Sequence, residues 1–346
     1  MAGQEMVQER IALKGVPGSP YTRKMLALLR YRRLPYRLIQ ASHDAAGLPA
    51  PKVSLLPTFF FPDAEGNLQA VTDSSPILRR LEAEYPERRA RPASPALALL
   101  DSLLEDYGDE WLTKAMFHYR WNYEADIKRA ADVLPAWRGL WPSDEELKAA
   151  SKGIAERQIP RLRYVGSNTV TGPVIEASYK RFLDLFEAHL REHPFFLGKR
   201  PGGGDFAAFG QLTQLVGFDP TPMAVASARA PRVFAWVGAT EDLSGLEPGE
   251  ADWISLDAVP GTLTAILAEV GRVYAPLLLA NAKAVRSGAE RLETVIDGQT
   301  WTQQPFPYQA KCLGWLREEY AALGAADRAA VDGALKGTGC EVLFAG

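Results

Sequence analysis

Short apolar runs alternate with amphipathic runs along the first part of the chain, and this pattern predicts a small α/β unit. The strand predictions rest on apolar runs bounded by turn residues, and the helix predictions on apolar residues at helical spacing. The predicted strands are 10–13, 34–39, 55–61 and 68–71, and the predicted helices are 21–31 and 73–85. The order is therefore β-α-β-(α)-β-β-α, where a further helix fits between the second and third strands.

The middle of the chain is helical by the same criterion, and its apolar runs do not have the alternation of strands. The predicted helices are 96–112, 144–163, 174–192, 205–216 and 231–240. A charged, proline-rich segment at 87–95 precedes this region, and a segment rich in Gly, Glu and Pro at 243–252 follows it. Both segments are typical of domain boundaries.

Helix and strand signals are mixed in the remainder of the chain. A long helix is predicted at 260–286, with a kink at Pro276 because proline interrupts the helical hydrogen bonds. Asp297-Gly298 separates two strand-like runs and is a strong signal for a two-residue hairpin. Two short helices are predicted after the hairpin. The predicted domains are 8–87, 94–242 and 253–346.

Composition excludes several classes of function. The formal net charge is -3, from 39 basic and 42 acidic residues, so the chain as a whole does not attract a phosphate backbone. Only two cysteines occur, which excludes a disulfide framework. His189 and His193 lie four apart on a predicted helix, but no third ligand is near them in the sequence. We therefore predict no nucleic-acid partner and no metal.

The apolar stretches predict a cytoplasmic protein that does not cross a membrane. The first residues, MAGQEMVQERIALKG, are polar and contain no apolar core of signal-peptide length. The most apolar later stretch, at 274–284, is interrupted by Pro276 and Asn281 and is too short to span a bilayer.

The most informative segment joins the first predicted strand to the first helix. Ser19 and Pro20 suit the N-cap and the first position of a helix. Redox proteins of the glutaredoxin kind have Cys-Pro-Tyr-Cys at this junction, whereas this chain has Ser19-Pro20-Tyr21-Thr22. Without thiols the segment cannot exchange disulfides. It retains a hydroxyl at a helix N-terminus, where backbone N–H groups favour an anion such as the thiolate of another molecule.

Three further features follow Ser19 in order, and together they resemble the cytosolic glutathione transferases that use a serine. Leu55-Leu56-Pro57-Thr58-Phe59 resembles the family's cis-proline strand. Thr72-Asp73-Ser74 resembles its acidic-Ser element. Residues 196–207 resemble the loop and capping box of its buried sixth helix, with Gly202 in place of the usual Ser or Thr cap, and 230–236 resembles the helix that follows. The resemblance covers about residues 10–240.

The resemblance implies the fold, the chemistry and the partners. The fold is an α/β thioredoxin-like N-terminal domain plus an all-α C-terminal domain, here with a mixed α/β C-terminal extension. Ser19 is the implied catalytic residue, which stabilises the thiolate of glutathione for attack on a small electrophile. Leu56 pairs its backbone with the tripeptide, Pro57 follows a cis peptide bond, and Asp73 and Ser74 hold the γ-glutamyl carboxylate. Glutathione is a co-substrate, no other cofactor is implied, and a homodimer is expected.

Each of these residues also has a purely structural interpretation. Ser19 serves equally well as a helix cap, and so do Asp73 and Ser74. Pro57 is tolerated on an edge strand. An acceptor pocket is predicted from Tyr21, Trp111 and Tyr119, although aromatic residues at such spacing are more often core.

Two departures from the family pattern leave a second function open. Leu55 stands where many relatives have a Gln or Lys directed toward the glycine carboxylate of the tripeptide, and Lys52 is the candidate to reach that carboxylate instead. The extension has no counterpart in a minimal transferase. The alternative is a non-catalytic protein of the same fold that binds a ligand or a protein partner. A thiol oxidoreductase is disfavoured because residue 19 is not a cysteine.

Overall fold

The first domain contains a four-stranded sheet and two helices, as the sequence predicts. The computed structural model describes residues 10–40 and 47–345. Its strands are β1 (Ile11–Lys14), β2 (Tyr36–Ile39), β3 (Thr58–Pro62) and β4 (Leu68–Val71), and its helices are α1 (Pro20–Tyr31) and α2 (Ser74–Glu84). The sheet order is β2-β1-β3-β4, with β1 parallel to β2 and the other pairs antiparallel. The further helix between β2 and β3 is not formed at 47–57, and 41–46 lie outside the described residues, as do 1–9.

The second region is helical throughout. Its elements are α3 (Pro95–Tyr107), a π-helical turn (Gly108–Leu112), α4 (Thr113–Asn122), α5 (Glu124–Ala136), α6 (Asp144–Gln158), a 3₁₀ segment (Ile159–Val165), α7 (Gly172–His189), α8 (Gly203–Leu215), α9 (Pro220–Arg229) and α10 (Pro231–Thr240). The sequence pattern missed α4, α5 and α9. Helix α4 is buried on nearly every side, so its sequence has no polar face to mark a helical period.

The third region adds two helices joined by a π-helical segment, a hairpin and two further helices. They are α11 (Gly261–Glu269), a π-helical segment (Val270–Tyr274), α12 (Ala275–Ser287), β5 (Leu292–Ile296), β6 (Gln299–Gln303), α13 (Pro307–Ala321) and α14 (Ala325–Leu335). The predicted hairpin is confirmed. Asp297 and Gly298 have φ of 52° and 72°, the positive values that a two-residue turn between twisted strands requires.

The helix that runs from α11 to α12 is long enough to span a bilayer, whereas the sequence predicted that its apolar stretch is too short. The π-helical segment directly before Pro276 lets the helix continue, so Gly261–Ser287 has 27 residues and a hydropathy of 1.5 in its most apolar window. By length and composition alone, such a helix could cross a membrane. However, 56% of that window is buried inside the protein, which is the behaviour of a core helix.

One continuous hydrophobic core joins all three regions. Leu29 of the first region, Phe209 of the second and Leu278 of the third are fully buried members of the same cluster. Helices α13 and α14 pack on α3, and α11 packs on α7. The extension therefore shares the core of the protein. The predicted boundaries at 87–94 and 242–253 fall in irregular or 3₁₀ backbone.

The N-terminus of α8 is capped from another helix. Asp205 accepts a hydrogen bond from the N–H of Gly202 at 2.9 Å, which is the half of the capping box that the sequence retains. The carboxylate of Asp101 on α3 accepts from the N–H groups of Gly203 and Gly204 at 3.0 and 2.9 Å. Asp101 therefore replaces the missing side-chain cap. A Cβ at Gly202 would lie 2.3 Å from its Oδ1, so the glycine is needed for this approach.

We expect Asp101→Ala to lower the free energy of unfolding by about 2 kcal/mol or more, because two buried N–H groups lose their acceptor. Urea unfolding of the purified protein measures the change. The control is Glu156→Ala on α6, which removes an exposed ion pair with Lys152 and should change stability little. Equal stability of the Asp101→Ala variant and the wild type would contradict this role of Asp101.

Candidate functional site

Ser19 and the strand that begins after Pro57 come together in the structure. Ser19 caps α1, and its hydroxyl accepts a hydrogen bond from the N–H of Thr22 at 3.2 Å. The same hydroxyl donates to the carbonyl of Leu56 at 3.2 Å, and the Leu56–Pro57 peptide bond is cis, as the sequence analysis predicts. Ser19 is therefore both a helix cap and a neighbour of the cis-proline backbone.

The helical region holds the turn before Ser19 in place. Arg120 donates to the carbonyl of Gly18 at 3.0 Å, and Gln214 donates to the carbonyl of Pro17 at 3.1 Å. Arg120 is only 3% exposed, and its charge is paired with Asp219 at 2.9 Å. Arg120 and Gln214 have no local motif in the sequence, and each lies at least a hundred residues from the turn, so neither was predicted to contact it.

The close approach of two helices fixes the direction of α1. Gly210 of α8 faces the start of α1, and a Cβ at this position would lie 2.5 Å from the carbonyl oxygen of Pro20. A side chain there would push α1 away from α8. Since Ser19 immediately precedes Pro20, the packing of these helices also sets the position of the Ser19 hydroxyl.

Asp73 and Ser74 stand at the start of α2, as predicted. Ser74 is the first residue of the helix, whereas Asp73 precedes it in a different backbone conformation. Asp73 has a φ of 86°, and its side chain makes no capping bond to α2. Both of its carboxylate oxygens accept from the hydroxyl of Tyr308 at 2.9 Å. Ser74 is 7% exposed, and its hydroxyl accepts from the ammonium of Lys24 at 3.3 Å.

Lys24 is a buried cation that the sequence analysis missed. Its ammonium lies 2.7 Å from a carboxylate oxygen of Glu105 and 2.5 Å from one of Asp109. Burial acts to lower the pKa of Lys24, but the two carboxylates outweigh burial and raise the pKa above its usual value. A lysine in the apolar run of α1 was the available signal. Only the structure shows which acids pair with it.

The three aromatic residues predicted to form an acceptor pocket are not equivalent. Tyr21 is half-buried, and its hydroxyl donates to the carbonyl of Asp109 at 2.8 Å. Trp111 is 2% exposed and donates to Ser178 at 2.8 Å, and Tyr119 is 1% exposed. The structure therefore corrects the prediction for Trp111 and Tyr119, which are core residues and present no face to a cleft. Burial also raises the pKa of Tyr21 well above its usual value.

Leu55, two residues before Pro57, has an exposed side chain in the structure. Leu55 is 51% exposed, and Lys52 is exposed as well. An exposed leucine offers no hydrogen bond to a ligand carboxylate. A ligand carboxylate at this place would therefore have to accept its hydrogen bonds from backbone N–H groups or from Lys52.

Both ring nitrogens of His189, the first residue of the histidine pair, lie within hydrogen-bond distance of groups of the protein. The ring nitrogens of His189 lie 2.9 Å from the hydroxyl of Thr262 and 3.0 Å from the carbonyl of Phe195, so both have partners. Within 10–40 and 47–345, the structure has no group of three or more His, Cys, Asp or Glu side chains that could hold a metal ion.

A cavity of about 530 Å³ adjoins the start of α2 and lies against α3 and α13. Its lining combines carboxyl groups and the guanidinium of Arg79 with apolar and aromatic side chains. Ser75, Glu105, Asp106, Glu110, Tyr308 and Trp315 are among the lining residues. Burial raises the pKa of Asp106 to about 7, although Tyr274 donates a hydrogen bond to it at 2.7 Å.

We expect Asp106 to make the protein less stable as the pH rises from about 4 to about 8. The folded protein holds the proton on Asp106 up to a pH of about 7, whereas the unfolded chain releases it near its ordinary pKa. The unfolded state therefore binds fewer protons in this window, and its stability relative to the folded state increases with pH. Asp106→Asn does not ionise, so its stability relative to the wild type should rise across the window. Urea unfolding at several pH values measures this difference, and a constant difference would contradict the assignment.

Family models match two parts of the chain. Residues 13–89 match the glutathione S-transferase N-terminal domain. Residues 146–239 match the glutathione S-transferase C-terminal domain. The first match contains the Ser19, Pro57 and Asp73 positions, and the second contains the loop and capping box at the start of α8. Both agree with the two-domain arrangement in the structure.

The chain is similar to several solved structures at low sequence identity. A glutathione transferase family member from Pseudomonas fluorescens, solved with two glutathione bound, is 16% identical over 68% of this chain and 90% of its own, with a TM-score of 0.42. A glutathione S-transferase from Methylobacterium radiotolerans, in complex with glutathione sulfonate, is 21% identical over 73% and 95%, with a TM-score of 0.40. A maleylacetoacetate isomerase from Anaeromyxobacter dehalogenans, with bound GSH in its active site, is 18% identical over 69% and 98%, with a TM-score of 0.34.

No curated protein matches the sequence. The family assignment therefore rests on the two domain models and on the order of the elements that they cover. On these grounds, the chain belongs to the glutathione S-transferase family.

Proposed function

We propose that the protein conjugates the thiolate of glutathione to a small electrophile, with Ser19 as the catalytic residue. The observation that carries the proposal is the position of the Ser19 hydroxyl. It lies at the N-terminus of α1 and 3.2 Å from the carbonyl of Leu56, beside the cis peptide bond. A tripeptide that pairs with the backbone of Leu56 would lie next to that hydroxyl.

The start of α2 would receive the γ-glutamyl end of the tripeptide. Lys24 donates to the oxygen of Ser74, so the hydroxyl proton of Ser74 remains available to donate to a ligand carboxylate. The carboxylate of Asp73 suits the ligand ammonium, because a carboxylate accepts hydrogen bonds from a cation. The two residues therefore match the two charged groups of an amino-acid end.

Ser19 would act by turning its O–H from Leu56 to the sulfur. The thiol proton leaves to solvent, and the hydroxyl then donates to the thiolate that remains. Each unit of pKa lowering needs about 1.4 kcal/mol of differential stabilisation, and a charge-assisted hydrogen bond with a helix N-terminus can supply that amount. The sulfur uses a lone pair to form the bond to the electrophilic carbon. The electrons of the attacked bond go to the leaving group or to the activated double bond, and no metal or redox cofactor is needed for this step.

A non-catalytic role in ligand or partner binding is the second candidate. The exposed Leu55 favours it, because the ligand loses one polar contact. Calorimetry with glutathione followed by a conjugation assay with a generic electrophile separates the two functions. Binding without turnover would favour the second. The homodimer and the cytoplasmic location are also proposals, and analytical ultracentrifugation tests the first of them.

We expect glutathione to bind measurably, and Ser74→Ala and Asp73→Asn to weaken the binding at least several-fold. Ser74→Ala removes a hydrogen bond to the ligand carboxylate, worth about 1.5–3 kcal/mol, and Asp73→Asn removes the negative charge that pairs with the ligand ammonium. Asparagine is used at residue 73 because it tolerates the positive φ of that position. Isothermal titration calorimetry gives the dissociation constants. Absence of wild-type binding at millimolar glutathione would end the proposal.

We expect Ser19→Ala to keep the fold and most of the glutathione affinity but to raise the pKa of the bound thiol. Conjugation should then fall about tenfold for each 1.4 kcal/mol of lost thiolate stabilisation. The ultraviolet absorbance of the bound thiolate, followed against pH, gives the pKa directly.

The chain contains a matched control for the capping role of Ser19. Ser94 is also followed by proline and caps α3 by accepting from the N–H of Leu97 at 3.4 Å. Ser94→Ala should cost stability, as Ser19→Ala does, by about 1 kcal/mol. It should leave the thiol pKa unchanged. If the titration curve of the Ser19→Ala variant coincides with that of the wild type, Ser19 is only a cap, and Tyr21 and Thr22 are the next residues to test.

A further inference from the structure

The C-terminal extension reaches the start of α2 through a firmly anchored loop. Asn281 of α12 is fully buried, and its side-chain amide makes two hydrogen bonds with the backbone of Phe306. Its Nδ2 donates to the Phe306 carbonyl at 2.9 Å, and its Oδ1 accepts from the Phe306 N–H at 2.7 Å. Helix α13 begins at the next residue, Pro307. The position of Tyr308 is therefore fixed by the extension itself.

Helix α13 is also held against α3 and the π-helical turn. Gln309 is 2% exposed and donates to Glu110 at 3.0 Å. Leu313 and Leu316 lie in the shared hydrophobic core. Tyr308 thus projects from a helix that is packed along its length, and its ring makes an edge contact with Trp315 at 6.0 Å between centroids.

The hydroxyl of Tyr308 is the side-chain donor that orients the carboxylate of Asp73. It lies 2.9 Å from each of the two carboxylate oxygens, and the backbone N–H of Ser75 at the start of α2 also faces the group. A carboxylate has about four lone-pair sites, so acceptors remain free for another donor. The contact joins residues 235 positions apart, across the first region and the extension.

We propose that Tyr308 is a positioning residue of the glutathione site, which holds the carboxylate of Asp73 in the orientation that receives the ammonium of the γ-glutamyl end. This inference rests on the proposed function. It makes the extension a part of the site, because the orientation of Asp73 depends on a residue that a minimal transferase lacks.

The charged groups around Asp73 give this role a pH signature. Burial raises the pKa of Asp73, while the hydrogen bond from Tyr308 on α13, the charge of Lys24 on α1 and the backbone N–H of Ser75 on α2 lower it, and Glu105 on α3 raises it. Tyr308→Phe removes the hydrogen bond from the Tyr308 hydroxyl and leaves the other groups in place. The pKa of Asp73 should then rise, so glutathione affinity should be lost at a higher pH than in the wild type as the pH falls.

The test compares Tyr308→Phe with Tyr320→Phe in the full-length protein. Tyr320 lies on the same helix and donates to Asp332 at 2.8 Å, so the control loses the same kind of bond at an exposed place away from Asp73. We expect Tyr308→Phe to weaken glutathione binding about three- to tenfold and to shift the acid limb of the affinity profile upward. It should leave the pKa of the bound thiol unchanged. Tyr320→Phe should leave all three measurements unchanged.

A double-mutant cycle shows whether Tyr308 acts through Asp73. In an Asp73→Gly background, where residue 73 has no side chain to accept from the Tyr308 hydroxyl and the positive φ is tolerated, Tyr308→Phe should produce no further loss of affinity. An equal loss in both backgrounds would overturn the inference, and so would a Tyr308→Phe variant with the affinity and acid limb of the wild type. Both of these contrary outcomes are measured relative to glutathione binding by the wild type, so they would leave the proposed function intact. Absence of glutathione binding to the wild type would instead remove the proposed function and this inference together.

Discussion

The buried ammonium of Lys24 is the interaction on which the arrangement of the candidate site depends. Taking a lysine out of water costs several kcal/mol, and the cost is offset only when carboxylates and further acceptors surround the charge. Here Glu105 and Asp109 supply the carboxylates, and Ser74 supplies a hydroxyl. The cluster therefore ties α1, α2 and the end of α3 to one another. Since α1 begins at Ser19 and α2 begins at Ser74, the two halves of the site share one electrostatic anchor.

The same site is supported by contacts from every region of the chain. Arg120 and Gln214 of the helical region hold the turn before Ser19, and Tyr308 of the extension holds Asp73. The surface where a thiolate would form is thus built on the first domain but oriented by the other two. A search for function in the first domain alone would find the hydroxyl and the cis proline. It would not find what keeps them in position.

Local patterns predicted the parts of the fold that local forces determine. Ser19-Pro20 marked the start of α1, and Asp297-Gly298 marked the hairpin, because helix caps and tight turns need particular residues at particular positions. The four motifs of the family appeared in order and predicted both domains and the cis bond before Pro57. These signals act over a few residues, so a sequence displays them directly.

Contacts between residues far apart in the sequence could not be predicted from local patterns. Asp101 caps α8 from α3, and nothing near Gly203 in the sequence indicates a cap from a distant helix. Trp111 is an aromatic residue of the kind that often lines pockets. It lies in the core because the hydroxyl of Ser178 accepts the hydrogen bond of its indole N–H. The path through Pro276 also depends on an extra residue in one helical turn, which no periodicity shows. For Asp101 and Trp111 the deciding partner lies far along the chain, whereas for Pro276 the deciding feature is local but has no signature in the sequence.

The shared core also has a consequence for synthesis on the ribosome. The faces of α3 and α7 that α14 and α11 cover are translated well before their partners. At about 5–20 residues per second, roughly 100 residues of extension take on the order of 5–20 s to emerge. During that interval the two domains of transferase type have their strands and helices but an apolar surface without its cover. The nascent chain therefore passes through a stage in which chaperones have a surface to bind, and that stage ends only when the last helices dock.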